Sequence, residues 1–165
     1  LSESDNRFLI KSATTRPRRT EVKNDAEIYD FLNDEEFDRR EANGEFFEVV
    51  DAHGCRYATQ NSELQKIIDH PENLYFKDID VVGTQKLVKY LKGKAKVLTI
   101  FLDVPDDVLY DRLINRGESD ERAKIRISRG KMEREYKKLY DLVIDNIDLE
   151  KTLEIIKNKL KEEGF

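Results

Sequence analysis

Ser12-Ala13-Thr14-Thr15-Arg16-Pro17-Arg18-Arg19 places three guanidinium groups and three hydroxyls within eight residues. Arginine offers a rigid fork of donors that suits phosphate oxygens, and hydroxyls add neutral donors without over-charging a site. The stretch follows a short apolar run, Phe8-Leu9-Ile10. This reads as an anion cradle at a strand end, most simply for one phosphate group; a solvated basic loop or a nucleic-acid patch is the plainer alternative. Other candidates lie further on. Asp78 and Asp80 follow the apolar run Leu74-Tyr75-Phe76. Two carboxylates at a strand end would hold Mg²⁺ or accept donors from a base, or simply cap a helix. Alternation along a strand would make them face one way. Glu48 sits between Phe47 and Val49. A buried glutamate there needs a partner, whereas an outward-facing one needs nothing. Arg112, Arg116, Arg122, Arg126 and Arg129 form a second arginine group. Phosphoryl transfer needs such cations to neutralise charge as it develops, although a helix face paired with Glu118, Asp120 and Glu121 would look the same. Tyr29 and Tyr57 also suit an ordinary aromatic core, and His53 a turn.

The bulk numbers bound the answer. The 165 residues suggest one domain, 1–165. Apolar residues make up 38% and charged residues 39%, but the apolar ones cluster in runs, so a modest core is expected. A net charge of −5 disfavours general nucleic-acid binding and makes a local basic patch read as a small-anion site. The single cysteine, Cys55, rules out a disulfide framework and fits a reducing, cytoplasmic setting. No run approaches the length of a membrane span, and Leu1-Ser2-Glu3-Ser4-Asp5 has no signal-peptide character. The chain starts at Leu1 rather than Met, so we expect it to begin partway into a longer protein.

The elements that must position these residues follow from pattern. Arg7 to Lys11 reads as a strand and Glu27 to Leu32 as a second. Asn33 caps a helix, with Glu36 as capping-box partner and Gly44 as its left-handed stop. Phe46–Val50 and Arg56–Thr59 form a hairpin around His53-Gly54, and a short helix runs from Asn61 or Ser62 to Asp69. Residues 16–70 thus read as a small α+β unit with antiparallel strands. Strands and helices then alternate: Leu74–Phe76, a helix from about Thr84 to Leu91, and Lys96–Leu102 as a strand buried on both faces. Next come a helix from Pro105, a charged helical stretch from Gly117 to Tyr140, and Leu142–Ile144. Last is an amphipathic helix capped by Asp148. Such alternation argues for a parallel sheet flanked by helices. Ligands in such sheets sit at the carboxyl ends of strands, where Ser12–Arg19, Asp78, Asp80 and Asn146 fall.

The ordered set resembles the guanylate kinase family over almost the whole chain. It comprises Ser12-x-Thr14-Thr15-Arg16-x-x-Arg19, Tyr29-x-Phe31, Gly44-x-Phe46-x-Glu48, Tyr57-x-Thr59, Asp78-Ile79-Asp80-x-x-Gly83, Arg112-Leu113-x-x-Arg116-Gly117 and Tyr140-Asp141 to Asn146. The resemblance implies an α/β, P-loop kinase-like fold with a core sheet, a monophosphate-binding sub-domain (16–70) and a helical lid (117–130). It implies transfer of the γ-phosphate of ATP to GMP with Mg²⁺, in a monomer or homodimer that binds neither nucleic acid nor membrane. Ser12, Arg16, Arg19, Tyr29 and Tyr57 would hold the GMP phosphate. Glu48 and Asp80 would accept from guanine N1 and the exocyclic amine, and Thr59 would donate to O6. Asp78 would sit near Mg²⁺, Arg116 and Asn146 near the adenine, and Arg126 would reach the transferring phosphate. The family's glycine-rich loop, G-x-x-G-x-G-K-[ST], is expected upstream of residue 1. Departures are the Arg19–Tyr29 loop, one residue longer than the family's and without the usual Gly-Glu, Ala58 in place of Gly, and a slightly short lid. Ala52-His53-Gly54-Cys55-Arg56-Tyr57 is also somewhat similar to the ribose bisphosphate phosphokinases. Such a sugar phosphate would leave the two base-reading acids idle. A non-catalytic guanylate-kinase-like interaction domain is the third reading.

Overall fold

The computed structural model describes residues 6–19, 24–52 and 54–165. The expected turn at His53 lies outside them. The chain divides into two compact units, Leu1–Lys96 and Val97–Phe165.

The described residues of the first unit form two sheets. Strands β1 (Arg7–Leu9) and β6 (Leu74–Phe76) pair in parallel. A four-stranded sheet has the order β3-β2-β5-β4, formed by β2 (Ser12–Thr14), β3 (Tyr29–Phe31), β4 (Phe46–Ala52) and β5 (Cys55–Gln60). The first half of the basic stretch is therefore strand, not loop, and it leaves the β1 sheet to enter this one. Strand β2 pairs in parallel with β3 and antiparallel with β5. The expectation of antiparallel strands alone fails at that one pair, because a connection long enough for a crossover separates β2 from β3. Helix α1 (Asp25–Ile28) takes the first residues of the expected strand at Glu27–Leu32.

Helix α2 (Asp34–Ala42) covers one face of this sheet. Phe37 from α2 packs with Ala13 and Ala58, flanked by Leu32, Phe46 and Val49. Small residues on the central strands let the ring seat fully, a burial worth roughly 2–3 kcal/mol. The Asn33 side chain accepts from the Glu36 amide at 2.8 Å. The capping box is only half made, because the Glu36 carboxylate turns outward to Arg39 and Arg40. Gly44 ends the helix region at φ +69°, as its position suggested. Helix α3 is Asn61–Asp69, and α4 is Val81–Leu91 with Asp80 as its N-cap.

The second unit pairs β7 (Ile100–Asp103) and β8 (Leu142–Asp145) in parallel. Strand β7 is shorter than expected, and Leu102 is 47% exposed, so it is not buried on both faces. Helices α5 (Asp106–Asn115), α6 (Asp120–Arg134) and α7 (Leu149–Glu163) complete the unit. A single 3-10 turn, Lys137–Leu139, interrupts the charged stretch before Tyr140. Asp148 caps α7 through the Lys151 amide at 3.1 Å. The α/β class with parallel strand pairs is the one the alternation implied.

Candidate active site

Register builds the site. Ser12 stands opposite Tyr29 on one side and Thr59 on the other, and Thr59 stands opposite Glu48. Residues directly opposite share a face. One face therefore carries the row Tyr29, Ser12, Thr59, Glu48 across all four strands. The next row is Phe31, Thr14, Tyr57, Val50. Ala13 and Ala58 point to the other face, into the α2 core. Sequence alternation within β2 and β5 thus separates hydroxyls from core.

Strand β4 joins this row only because it is bulged. The register shifts between Phe46 and Glu48. Unbroken alternation would put Phe46 and Glu48 on the same face. With the bulge, Phe46 and Val49 both reach the α2 core, while Phe47 meets Tyr90 of α4 at 5.0 Å between ring centroids. A bulge re-aims side chains in this way. Glu48 is turned inward to 8% exposure. Its Oε1 accepts from the Thr59 hydroxyl at 3.4 Å, and its Oε2 has no hydrogen-bond partner among the described residues. The Lys86 ammonium stands 3.8 Å from that oxygen. Burial first, then the charge of Asp80, pushes the Glu48 carboxyl above its usual range.

Gly83 makes the room. A Cβ there would lie 2.5 Å from Glu48 Oε1 and 2.7 Å from Ile79 Cγ1. Asp80 accepts from the Gly83 amide at 2.7 Å through Oδ1, fixing the first turn of α4. Asp78 and Asp80 do not share a strand face, since β6 ends at Phe76. Asp78 is exposed, and Asp80 is a helix cap set beside Glu48.

The basic stretch is held from within. Asp25 is 3% exposed. Its Oδ1 accepts from Arg16 Nη2 at 2.7 Å, and its Oδ2 from the Arg19 amide at 2.8 Å. The hydrogen bond from Arg16 is the main reason its carboxyl lies below the usual aspartate value. The Arg16 guanidinium lies over the rings of Tyr29 and Phe31, at 4.9 and 5.4 Å. Tyr29 and Tyr57 meet edge to face at 6.0 Å. Burial, reinforced by the charge of Asp78, raises the Tyr29 hydroxyl. Ser12 Oγ accepts from the Lys77 ammonium at 2.7 Å. The Arg18 and Arg19 side chains are exposed.

Ser12, Arg16, Tyr29, Glu48, Tyr57, Thr59 and Asp80 thus gather in the first unit, with Arg19 tied in through its backbone. Chemically, the unit offers a buried carboxylate with an unmet acceptor at one end of a row and arginine, tyrosine and serine donors at the other. Asp25 and Lys77 were missed, because an acid at the start of a four-residue helix and a lysine beside a strand carry no pattern. Gly83 was recognised as part of a motif, but its role depends on Glu48.

In the second unit, Arg112 ends in a fork on the carbonyls of Asn146 (2.8 Å) and Ile147 (2.7 Å). This ties α5 to the turn after β8. The Asn146 amide donates to the Asp103 carbonyl at 2.7 Å, and its Oδ1 accepts from Thr152 at 3.2 Å. Arg116 ends α5 and is exposed. Arg126 of α6 pairs with Glu118 at 3.0 Å.

The guanylate kinase family model matches residues 1–163. A guanylate kinase of Porphyromonas gingivalis is 38% identical over 154 residues, covering 92% of this chain and 80% of the relative. One from Bacteroides thetaiotaomicron is 36% identical, covering 99% and 81%. The crystal structure of guanylate kinase from Anaplasma phagocytophilum superposes with a TM-score of 0.72 at 28% identity, over 96% of this chain and 76% of that one.

Proposed function

The chain belongs to the guanylate kinase family, and from that membership we propose that it transfers the γ-phosphate of ATP to GMP, giving GDP and ADP. The observation that carries this reading is Glu48: a buried carboxylate with an oxygen that no described residue meets with a hydrogen bond. Such a group is costly unless a ligand pairs with it. Guanine presents two adjacent donors, N1–H and the exocyclic amine, beside an acceptor oxygen. Glu48 and Asp80 take the donors, and the Thr59 hydroxyl turns from Glu48 to O6. Ser12, Arg16, Arg19, Tyr29 and Tyr57 then hold the monophosphate at the other end of the row.

Arg116 and Asn146 serve the adenine, and Arg126 leaves Glu118 to neutralise charge on the phosphoryl group in transit. Residues 16–70 are the GMP-binding part, 117–130 the lid and the remainder the core of a single domain. Asp78 holds Mg²⁺. Among the described residues no group of three or more His, Cys, Asp or Glu could hold a metal, but Mg²⁺ keeps several waters and needs only one or two carboxylates besides substrate phosphates. An exposed single aspartate fits that role. The bound ion would screen charge between the phosphates. Among the described residues no helix is long and apolar enough to cross a membrane. The family membership and the net charge of −5 favour a cytoplasmic monomer or homodimer that takes no nucleic acid.

Calorimetric titration with GMP, AMP, CMP and ribose bisphosphate tests the acceptor. Selective GMP binding is expected, and ADP release with ATP is then read on protein that carries the family's glycine-rich phosphate loop. Binding of ribose bisphosphate alone would instead favour the sugar-phosphate kinase. No binding of GMP would favour the interaction domain.

A further inference from the structure

Lys77 is a cation that none of the recognised motifs includes. It lies between the end of β6 and Asp78 and is only partly accessible. Its ammonium donates to Ser12 Oγ at 2.7 Å, across 65 residues of sequence. The charged groups that face it are Asp78 from its own loop, Glu48 from β4 and Glu63 from α3. Burial is the strongest influence on the ammonium and lowers its pKa, while those three carboxylates oppose it. An apolar side chain would fill this position without the cost of a half-hidden charge. The bond to Ser12 is what the lysine adds.

An ammonium has three donors and no acceptor. Ser12 Oγ is therefore the acceptor in this bond, and the serine proton is directed elsewhere. A hydroxyl that accepts from a cation is also a stronger donor in its own right. Ser12 stands beside Tyr29 in the row, and the Arg16 guanidinium lies over Tyr29 at 4.9 Å.

We propose that Lys77 is a positioning residue for the acceptor phosphate: its ammonium holds Ser12 Oγ as a donor to the GMP phosphate. This rests on the reading of Ser12 as a phosphate ligand. It separates the two ends of the site, since Lys77 acts on the phosphate and not on guanine.

The experiment is calorimetric titration of the full chain with GMP and, separately, with guanosine, which lacks the phosphate. Parent, Lys77→Met, Lys77→Gln, Ser12→Ala and the Ser12→Ala/Lys77→Met double variant are compared. Lys77→Met should weaken GMP about tenfold, the scale of one hydrogen bond to a charged group. Guanosine affinity should change by less than about twofold. The double variant should bind GMP within about twofold of Ser12→Ala, because the lysine works through the serine. A melting scan should show Lys77→Met no less stable than the parent; if it fails to fold, Lys77→Gln carries the comparison. Equal losses for GMP and guanosine, or fully additive losses in the double variant, would overturn the proposal. Unchanged GMP affinity in Lys77→Met with a binding parent overturns Lys77 alone, whereas a parent that binds no GMP overturns the acceptor-site reading itself.

Discussion

Asp25 grips Arg16: its Oδ1 takes the Nη2 proton at 2.7 Å, with both side chains nearly hidden from water. The same carboxylate takes the Arg19 amide on its other oxygen. One acid thus orients the arginine that the sequence nominates for phosphate and anchors the backbone of the next. The Arg16 guanidinium keeps further N–H donors for a ligand, since it has five.

Asp25→Asn should cost roughly 3 kcal/mol in urea unfolding at neutral pH, because it leaves a partly buried guanidinium without its counter-charge. The pH dependence has a definite sign. The folded-state pKa of Asp25 lies below its ordinary value of 3.8, so its contribution is complete above that value and is lost as pH falls through the depressed one. The gap between parent and variant should therefore close in strong acid. GMP affinity should fall in the variant. A rise would mean that Asp25 competes with the phosphate for Arg16.

Glu48→Gln should separate stability from binding. Burial raises the Glu48 pKa in the fold, so stability is lost as pH rises from the unfolded value through the folded one. At neutral pH the parent carries that cost and the neutral amide does not. The ligand-free variant should therefore be the more stable of the two in urea unfolding at neutral pH. GMP binding should drop at least tenfold. A variant that is less stable and binds normally would refute the guanine role.

Gly83→Ala offers a sharper test of geometry. Alanine ordinarily stabilises a helix over glycine by about 0.5–1 kcal/mol. Here its Cβ would meet the Glu48 carboxylate and the Ile79 side chain. The expected outcome is GMP affinity reduced by about tenfold or more, measured by calorimetry, with the helix itself intact by circular dichroism. Retained affinity would show that Glu48 has another seat.

Arg126→Ala should lower turnover and leave GMP affinity nearly unchanged. The Glu118 pair it breaks is partly exposed, so stability should shift by less than about 1 kcal/mol. Weakened GMP binding with normal turnover, in steady-state kinetics with ATP varied on protein that carries the glycine-rich phosphate loop, would contradict the lid role.

The amino-acid sequence by itself determined which groups are present and roughly where the elements lie. Turn glycines, helix caps such as Asn33 and Asp148, and apolar runs act over a few residues, so Gly44, α2 and α7 were legible. The motif set, being a matter of spacing along the chain, pointed to the family that the comparisons show. Four relationships depended on the tertiary structure. The β4 bulge decides that Glu48 faces inward, and a one-residue slip flips every side chain beyond it. Strand β6 stops at Phe76, so Asp80 became a helix cap instead of the strand-mate of Asp78. The pairs Asp25–Arg16 and Lys77–Ser12 close across loops and between sheets. No local pattern encodes them, because each partner is selected only once packing has brought distant backbone within hydrogen-bonding reach.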